Sequence, residues 1–543
     1  MLLRLTPLLA ALAACSLDGL ADGGAGAGGT GGLGTTTSSS PSATTAQGGA
    51  GGEGGGGGQA SAFTWLRSIG NGSVQGTSPY PGEAGSGSTL RVSEPGPAGE
   101  VWLAFATRGS IDPDGPGGLA AAGNPDSHNL FALELANDGT ILHFSAFPGS
   151  LENIDDPLSV GAVVRLGGGG VAVVGSFKGG TLDLGAVGTI TQNSLSQDDG
   201  FVLKLDASGL ITHARQLGSG NAQTARAAVL HQGSLLVAGK TKRTLAVTNP
   251  NGGAADAPCA LSKPMEEFER ALVVVLDDSD LACTGFTSFT ATDANAAQQA
   301  WAITADATGV FVAGSYTRQI IAAPIAAVPA SSSEDGFVVA LEPDMGTPTV
   351  RWVARATSNR NGAPDGLRAA MLAGGRLWIG GYLERGTTPI AGTQPEIGVV
   401  DALPGNDCTF AVSPEMRDGV VATLDPATGS CSGALLLGGP QRDEVRALVP
   451  HGAGAAATGL TTEGIPGLDQ ALGAGSRDGF LAWLSAGTDI ALDGGFSVGG
   501  VSWDYLDAAR TSSGALILAG SYDVPFDVLE GDADFFVGAM PEP

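Results

Sequence analysis

No apolar run approaches the ~18–20 residues that a bilayer-spanning helix needs, anywhere in the 543-residue chain. Any membrane attachment must therefore come from the N-terminus. Basic residues are also scarce: 26 lysines and arginines stand against 54 aspartates and glutamates, for a formal charge of −28. That balance disfavours nucleic acid, whose binding relies on cations neutralising phosphates, and it disfavours docking on anionic lipid. There are five histidines, none with a second ligand at metal-like spacing. No GxSxG elbow, HExxH or P-loop occurs, so no catalytic residue is identified. The chain is instead rich in glycine, at 88 residues, and its 43% hydrophobic content is enough for a packed core.

The N-terminus reads MLLRLTPLLAALAAC, with Arg4 followed by an apolar run from Leu5 to Ala14. That run is too short to span a bilayer and has the form of a secretory signal. It ends in Leu12-Ala13-Ala14-Cys15, which resembles the lipobox of bacterial lipoproteins. The resemblance implies cleavage after residue 14 and a diacylglycerol on the Cys15 thiol. Ser16, in place of an Asp at that position, implies sorting to the outer membrane of a Gram-negative cell or the cell surface. Residues 15–60 are Gly, Ala, Thr and Ser with runs such as GGAGGEGGGGG, and form a flexible linker. Its reach is about 40 Å by random-coil scaling.

The rest, residues 61–543, is a repeat. One strand-like phrase recurs as HNLFALEL, DGFVLKLD, RALVVVLD, DGFVVALE, DGVVATLD, DGFLAWLS and DFFVGAMP. Equating Phe131, Phe201, Leu272, Phe337, Val420, Phe480 and Phe536 gives offsets of 70, 71, 65, 83, 60 and 56. The alternating apolar pattern is that of strands. Two companion phrases precede each copy, a short one such as ARAAVLHQ and then one such as SLLVAGKTK. A fourth follows it, but only six times; the seventh stands at the start of the body, as FTWLRSIG around Trp65. A chain that begins with one outer strand and ends with three inner ones closes if the first completes the last sheet. The expected fold is therefore all-β: a seven-bladed β-propeller of four-stranded blades, closed by the N-terminal strand. Phrases such as DGFVLKLDASG and GSLLVAGK resemble the SBBP-type bacterial β-propeller repeats of secreted and surface proteins. The resemblance implies fold and location but carries over no catalytic residue, because members share no single activity. Where that family tends to place an aromatic in the outermost strand, this chain has Trp65 and Trp352, but His143 and His213 in the same slot elsewhere.

Long segments near 108–128, 243–269, 318–334 and 385–417 separate second from third strands, and are expected to gather on one face over the central channel as a recognition surface. Four cysteines remain besides Cys15. Cys283 and Cys431 each lie 11 residues beyond Leu272 and Val420, while Cys259 and Cys408 precede the same points by 13 and 12. The matching offsets favour Cys259–Cys283 and Cys408–Cys431, although four cysteines admit three pairings. Disulfides suit an exported protein. Asp199, Asp335, Asp418, Asp478 and Asp534 open third strands and read as turn-formers, with a cation-binding ring as the alternative. Asp112/Asp114 and Asp155/Asp156 could hold calcium but lack EF-hand spacing, so no cofactor or metal is expected. The expectation is a monomeric surface lipoprotein binding an unidentified protein or glycan. The alternatives are an extracellular polymer-degrading hydrolase or lyase with its site at the loop-rich face, and an envelope scaffold.

Overall fold

The repeated phrases form sheets. A computed structural model describes most of residues 64–541; residues 1–63, 70–89, 151–157, 193–196, 219–220, 252–255, 263–268, 344–348, 362–363, 470–477, 499–504, 513–514, 523–533 and 542–543, parts of 109–126, 323–333 and 385–415, and a few single loop positions lie outside the description. Cys15, the signal and linker segments, and Asp112, Asp114, Asp155 and Asp156 are among those outside. Among the described residues the only helices are three single 3-10 turns, and seven sheets have four strands or more. We number these sheets 1 to 7 in chain order. Their first strands are Leu90–Val92, Leu158–Arg165, Gln223–His231, Gln298–Asp306, Gly366–Ala373, Asp443–His451 and Tyr505–Ser512.

Every sheet is an antiparallel meander in which each strand pairs with the next. Sheet 5, for example, runs Gly366–Ala373, Arg376–Glu384, Arg417–Leu424 and Cys431–Leu437. A complementary pair of residues joins second and third strands. The Gly of the second-strand phrase stands opposite the aromatic of the third: Gly175 opposite Phe201, Gly314 opposite Phe337, Gly459 opposite Phe480. Each of these rings is fully buried. A Cβ at Gly175 would lie 2.5 Å from the Phe201 ring, so the missing side chain is what admits the aromatic. Burial of each such ring contributes about 1.5–3 kcal/mol. The phrase GAAATGLTT, which has few large side chains, is the fully buried second strand of sheet 6, paired on both sides.

The first strands pack beside one another in chain order, from sheet 1 to sheet 7, and the first strand of sheet 7 also packs beside that of sheet 1. Sheet 7 takes its fourth strand from the other end of the chain. Trp65–Ile69 pairs antiparallel with Asp534–Pro541, from Trp65↔Ala539 to Ile69↔Phe535. The Thr64 backbone N–H and hydroxyl both donate to the Ala539 carbonyl, at 2.6 and 2.8 Å. The fold is all-β and propeller-like.

Two sheets have more than four strands, and the additions come from the long insertions. Val247–Thr248 extends the outer edge of sheet 2, and Glu396–Val399 with Cys408–Thr409 extends that of sheet 4. The described parts of these two insertions therefore run outward to the rim, onto the sheet before their own, and not over the axis. Unpaired outer edges there offered backbone hydrogen bonds that the insertions take. Each insertion is also bonded to the outer strand of its own sheet, through Cys259–Cys283 and Cys408–Cys431, with Cα separations of 6.1 and 5.5 Å. The pairing favoured by the spacing is the one present, and each bridge ties two neighbouring sheets together.

Deleting residues 61–69 should expose the edge of Asp534–Pro541, lower the melting temperature and promote concentration-dependent association, read by thermal unfolding and light scattering. Replacing Cys259 and Cys283 together by Ala should cost about 3 kcal/mol, the loop-closure value for a span of this size, measured by denaturant unfolding.

Candidate functional site

The first strands of six of the seven sheets deviate from regular pairing at one point each. In sheets 2 to 7 the register against the second strand skips one residue, respectively Gly161, Arg226, Trp301, Arg368, Arg446 and Asp507. A bulge of this kind leaves the extra residue unpaired and re-aims its side chain. Sheet 1 places Arg91 at the corresponding phrase position. Arg91, Gly161, Arg226, Trp301, Arg368 and Arg446 line one cavity of about 110 Å³, shared with small residues that include Ala162, Ala227, Ala302, Ala369 and Ala447. Since each comes from the first strand of a different sheet, the cavity lies where those strands converge. The side chain of Asp507 is outside the described residues.

Glycine at position 161 has a specific cause. A Cβ there would lie 2.6 Å from the Ala225 carbonyl and 2.7 Å from that of Arg226, so the two first strands touch backbone to backbone. Arg91 uses the same opening, donating from Nε to the Gly161 carbonyl at 2.9 Å. Arg226 and Arg368, in the sheets on either side of Trp301, both lie over its ring, at 4.9 and 3.8 Å from the centroid. The Trp301 Nε1–H donates to the Ser315 hydroxyl at 3.3 Å. Arg368 also approaches the Tyr382 ring, which Arg417 covers at 4.3 Å.

Compensating negative charge is limited. Glu444 is shared by Arg368, Arg446 and Arg417, at 3.3, 3.8 and 3.8 Å, while Arg417 also pairs with Glu384 at 2.7 Å. Arg226 has no ion-pair partner among the described residues, and its buried Nε makes no hydrogen bond; nor does the buried Nη1 of Arg368. Burial pulls the Arg226 guanidinium down to about 10; Arg368 and Arg91 act in the same direction, Asp198 and Glu269 against it. At neutral pH it stays charged. An arginine ring of this kind is suited to holding an anion by charge-assisted, often bidentate hydrogen bonds.

The residues singled out from sequence lie elsewhere. Asp199, Asp335, Asp418 and Asp478 are buried at the starts of third strands, and the side chain of Asp534 is outside the description. Asp199 accepts from Gln216 Nε2 at 2.6 Å. Burial, and to a smaller extent Asp335 and Asp418 respectively, raises the pKa of two further buried carboxyls, Asp365 and Asp443, each just before or at the first strand of the following sheet. Asp365 accepts from the backbone N–H groups of Ser358 and Glu384, at 2.7 and 2.8 Å. These carboxyls are joints between strands and between sheets. Among the described residues no three His, Cys, Asp or Glu side chains converge as a metal-holding group. His143 lies beside Trp102 and 3.7 Å from Glu134, and His451 packs 4.4 Å from the Trp483 ring. The axial arginines were not singled out from sequence, although TLRVS, ARAAVLHQ, LRAAMLA and VRALVPH carry them in register.

No family model and no curated protein matches the chain. Among solved structures, the acylaminoacyl peptidase of Pyrococcus horikoshii is 10% identical with a TM-score of 0.38, covering 84% of this chain and 52% of its own. The chain thus spans about half the length of that peptidase. Phage phi92 endosialidase is 8% identical with a TM-score of 0.34, covering 88% of this chain and 69% of its own. A quinohemoprotein alcohol dehydrogenase from Pseudomonas putida is 8% identical with a TM-score of 0.33, covering 84% and 76%. Likenesses this slight do not bear on what the chain does.

The buried carboxyls give a pH dependence with a definite sign. Burial pushes Asp443 up to about 7 and Asp199 up to about 6, and raises Asp365 well above the usual carboxylate range. Between an unfolded value of about 4 and these folded values the native state holds more protons than the unfolded one. Stability should therefore fall as pH rises from about 4 to about 7. Asp443→Asn, which keeps an oxygen for the Gly439 N–H, should flatten that fall in melting curves taken across the range.

Proposed function

We propose that this chain is an exported, lipid-anchored surface protein whose seven-bladed β-propeller is a binding module, tethered by a flexible linker and engaging its ligand at the axial cavity. The observation that carries the reading is the convergence of bulged residues from successive first strands on one cavity. A rigid ring that directs one side chain per sheet to a common point favours a preorganised site, since little ordering remains to be done on binding. The cyclic neighbouring of seven first strands and the paired chain ends support seven blades closed as a ring. Two disulfides support an oxidising, exported setting. The lipobox-like Leu12-Ala13-Ala14-Cys15 supports the anchor, and Ser16 the outer membrane or cell surface.

Two measurements test the two halves of the proposal. Cys15→Ala should abolish incorporation of labelled fatty acid and release the protein from the membrane fraction. Retention of label or of membrane association would contradict the anchor. Melting temperature should rise with one class in a panel of neutral glycans, acidic glycans and peptides, because a ligand of the folded state stabilises it. A panel with no shift would count against the binding role.

A further inference from the structure

The cavity places four arginines from four different sheets around a volume of about 110 Å³, in a chain whose formal charge is −28. Clustering cations at a narrow axis is unfavourable unless something negative offsets them. Among the described residues the compensating charge is limited: Glu444 is shared by Arg368, Arg446 and Arg417, and Arg226 has no ion-pair partner. Buried donors without partners in a native structure usually mark a place where water or an ion belongs. The volume is several times that of one water site and suits one compact polar group, not a polymer strand. The small side chains beside the arginines, Ala227, Ala302, Ala369 and Ala447, leave that space open. Trp301, lying against both Arg226 and Arg368, limits the orientations those guanidiniums can adopt.

We infer that the axial cavity binds a small oxyanion group through Arg226 and Arg368, with Trp301 holding the two guanidiniums in place and Arg91 and Arg446 adding positive charge around it. The chemistry is a carboxylate, sulfate or phosphate, either as a free ion or as the acidic head of a larger molecule. This rests on the binding-module reading and names the ligand class of its site.

The test is isothermal titration of the detergent-purified full chain, at constant ionic strength in chloride, with sulfate, phosphate and glucuronate. At least one should bind. Arg226→Gln and Arg368→Gln should each weaken that binding tenfold or more, and Arg226→Lys should weaken it less than Arg226→Gln. Equal affinity for the free ions and glucuronate would assign the site to a free ion, and tenfold preference for glucuronate to the acidic head of a sugar. Because loss of a ring arginine could disturb folding, Ala447→Phe provides a second route: it fills the cavity with every arginine retained, and should also abolish binding. No binding above the chloride background would overturn the inference, as would binding that both glutamine variants and Ala447→Phe leave unchanged. A neutral glycan bound equally by wild type and Arg226→Gln, with no anion bound, would overturn the anion assignment and leave the binding-module reading standing.

Discussion

The structure depends on the lateral contact of seven first strands, each beside the next and the last beside the first. Strands that approach this closely leave no room for large side chains between them, which is why alanine and glycine recur in the phrases that form them. At Gly161 even a methyl group would collide with the neighbouring backbone. The bulge resolves the conflict this creates. By skipping one residue in the ladder, the first strands of sheets 3, 5 and 6 keep flanking apolar residues such as Ala225, Leu367 and Val445 in the core, while Arg226, Arg368 and Arg446 line the cavity. The same constraint that narrows the axis therefore leaves a cavity there, lined by the skipped residues Gly161, Arg226, Trp301, Arg368 and Arg446.

The rim is held by a different device. Strands 247–248 and 396–399 each add to the sheet before their own, and the disulfides tie the same insertions to the sheet after. The described parts of these two insertions thus act between neighbouring sheets. None of the described residues of those two insertions lines the axial cavity.

Much of the fold was legible because each strand type has its own phrase in fixed order, and because the missing outer strand appears at the other end of the chain. The Gly-to-aromatic complement between second and third strands is visible once the phrases are aligned, as in GSF with DGF. The cysteine offsets, equal to within one residue in two repeats, fixed on the correct pairing. The path of the insertions was not legible. Strands of two to four residues inside a Gly- and Pro-rich stretch carry no period, and what recruits them is the edge of a sheet distant in sequence. The arginine ring escaped for another reason. In LRVS, ARAA, LRAA and VRAL the arginine looks like the solvent-facing half of ordinary alternation; only the side-by-side packing of first strands from successive sheets brings four positions distant in sequence to one cavity. Asp365 and Asp443, each set beside a carboxyl of the preceding sheet, were hidden in the same way.

The most direct test of a ring that concentrates charge at its axis is anomalous diffraction from crystals of the protein soaked in selenate. The expected result is a selenium peak inside the cavity, within hydrogen-bonding distance of Arg226 and Arg368. Selenium peaks only at the outer surface, with the axis occupied by ordered water or a repacked side chain, would contradict it.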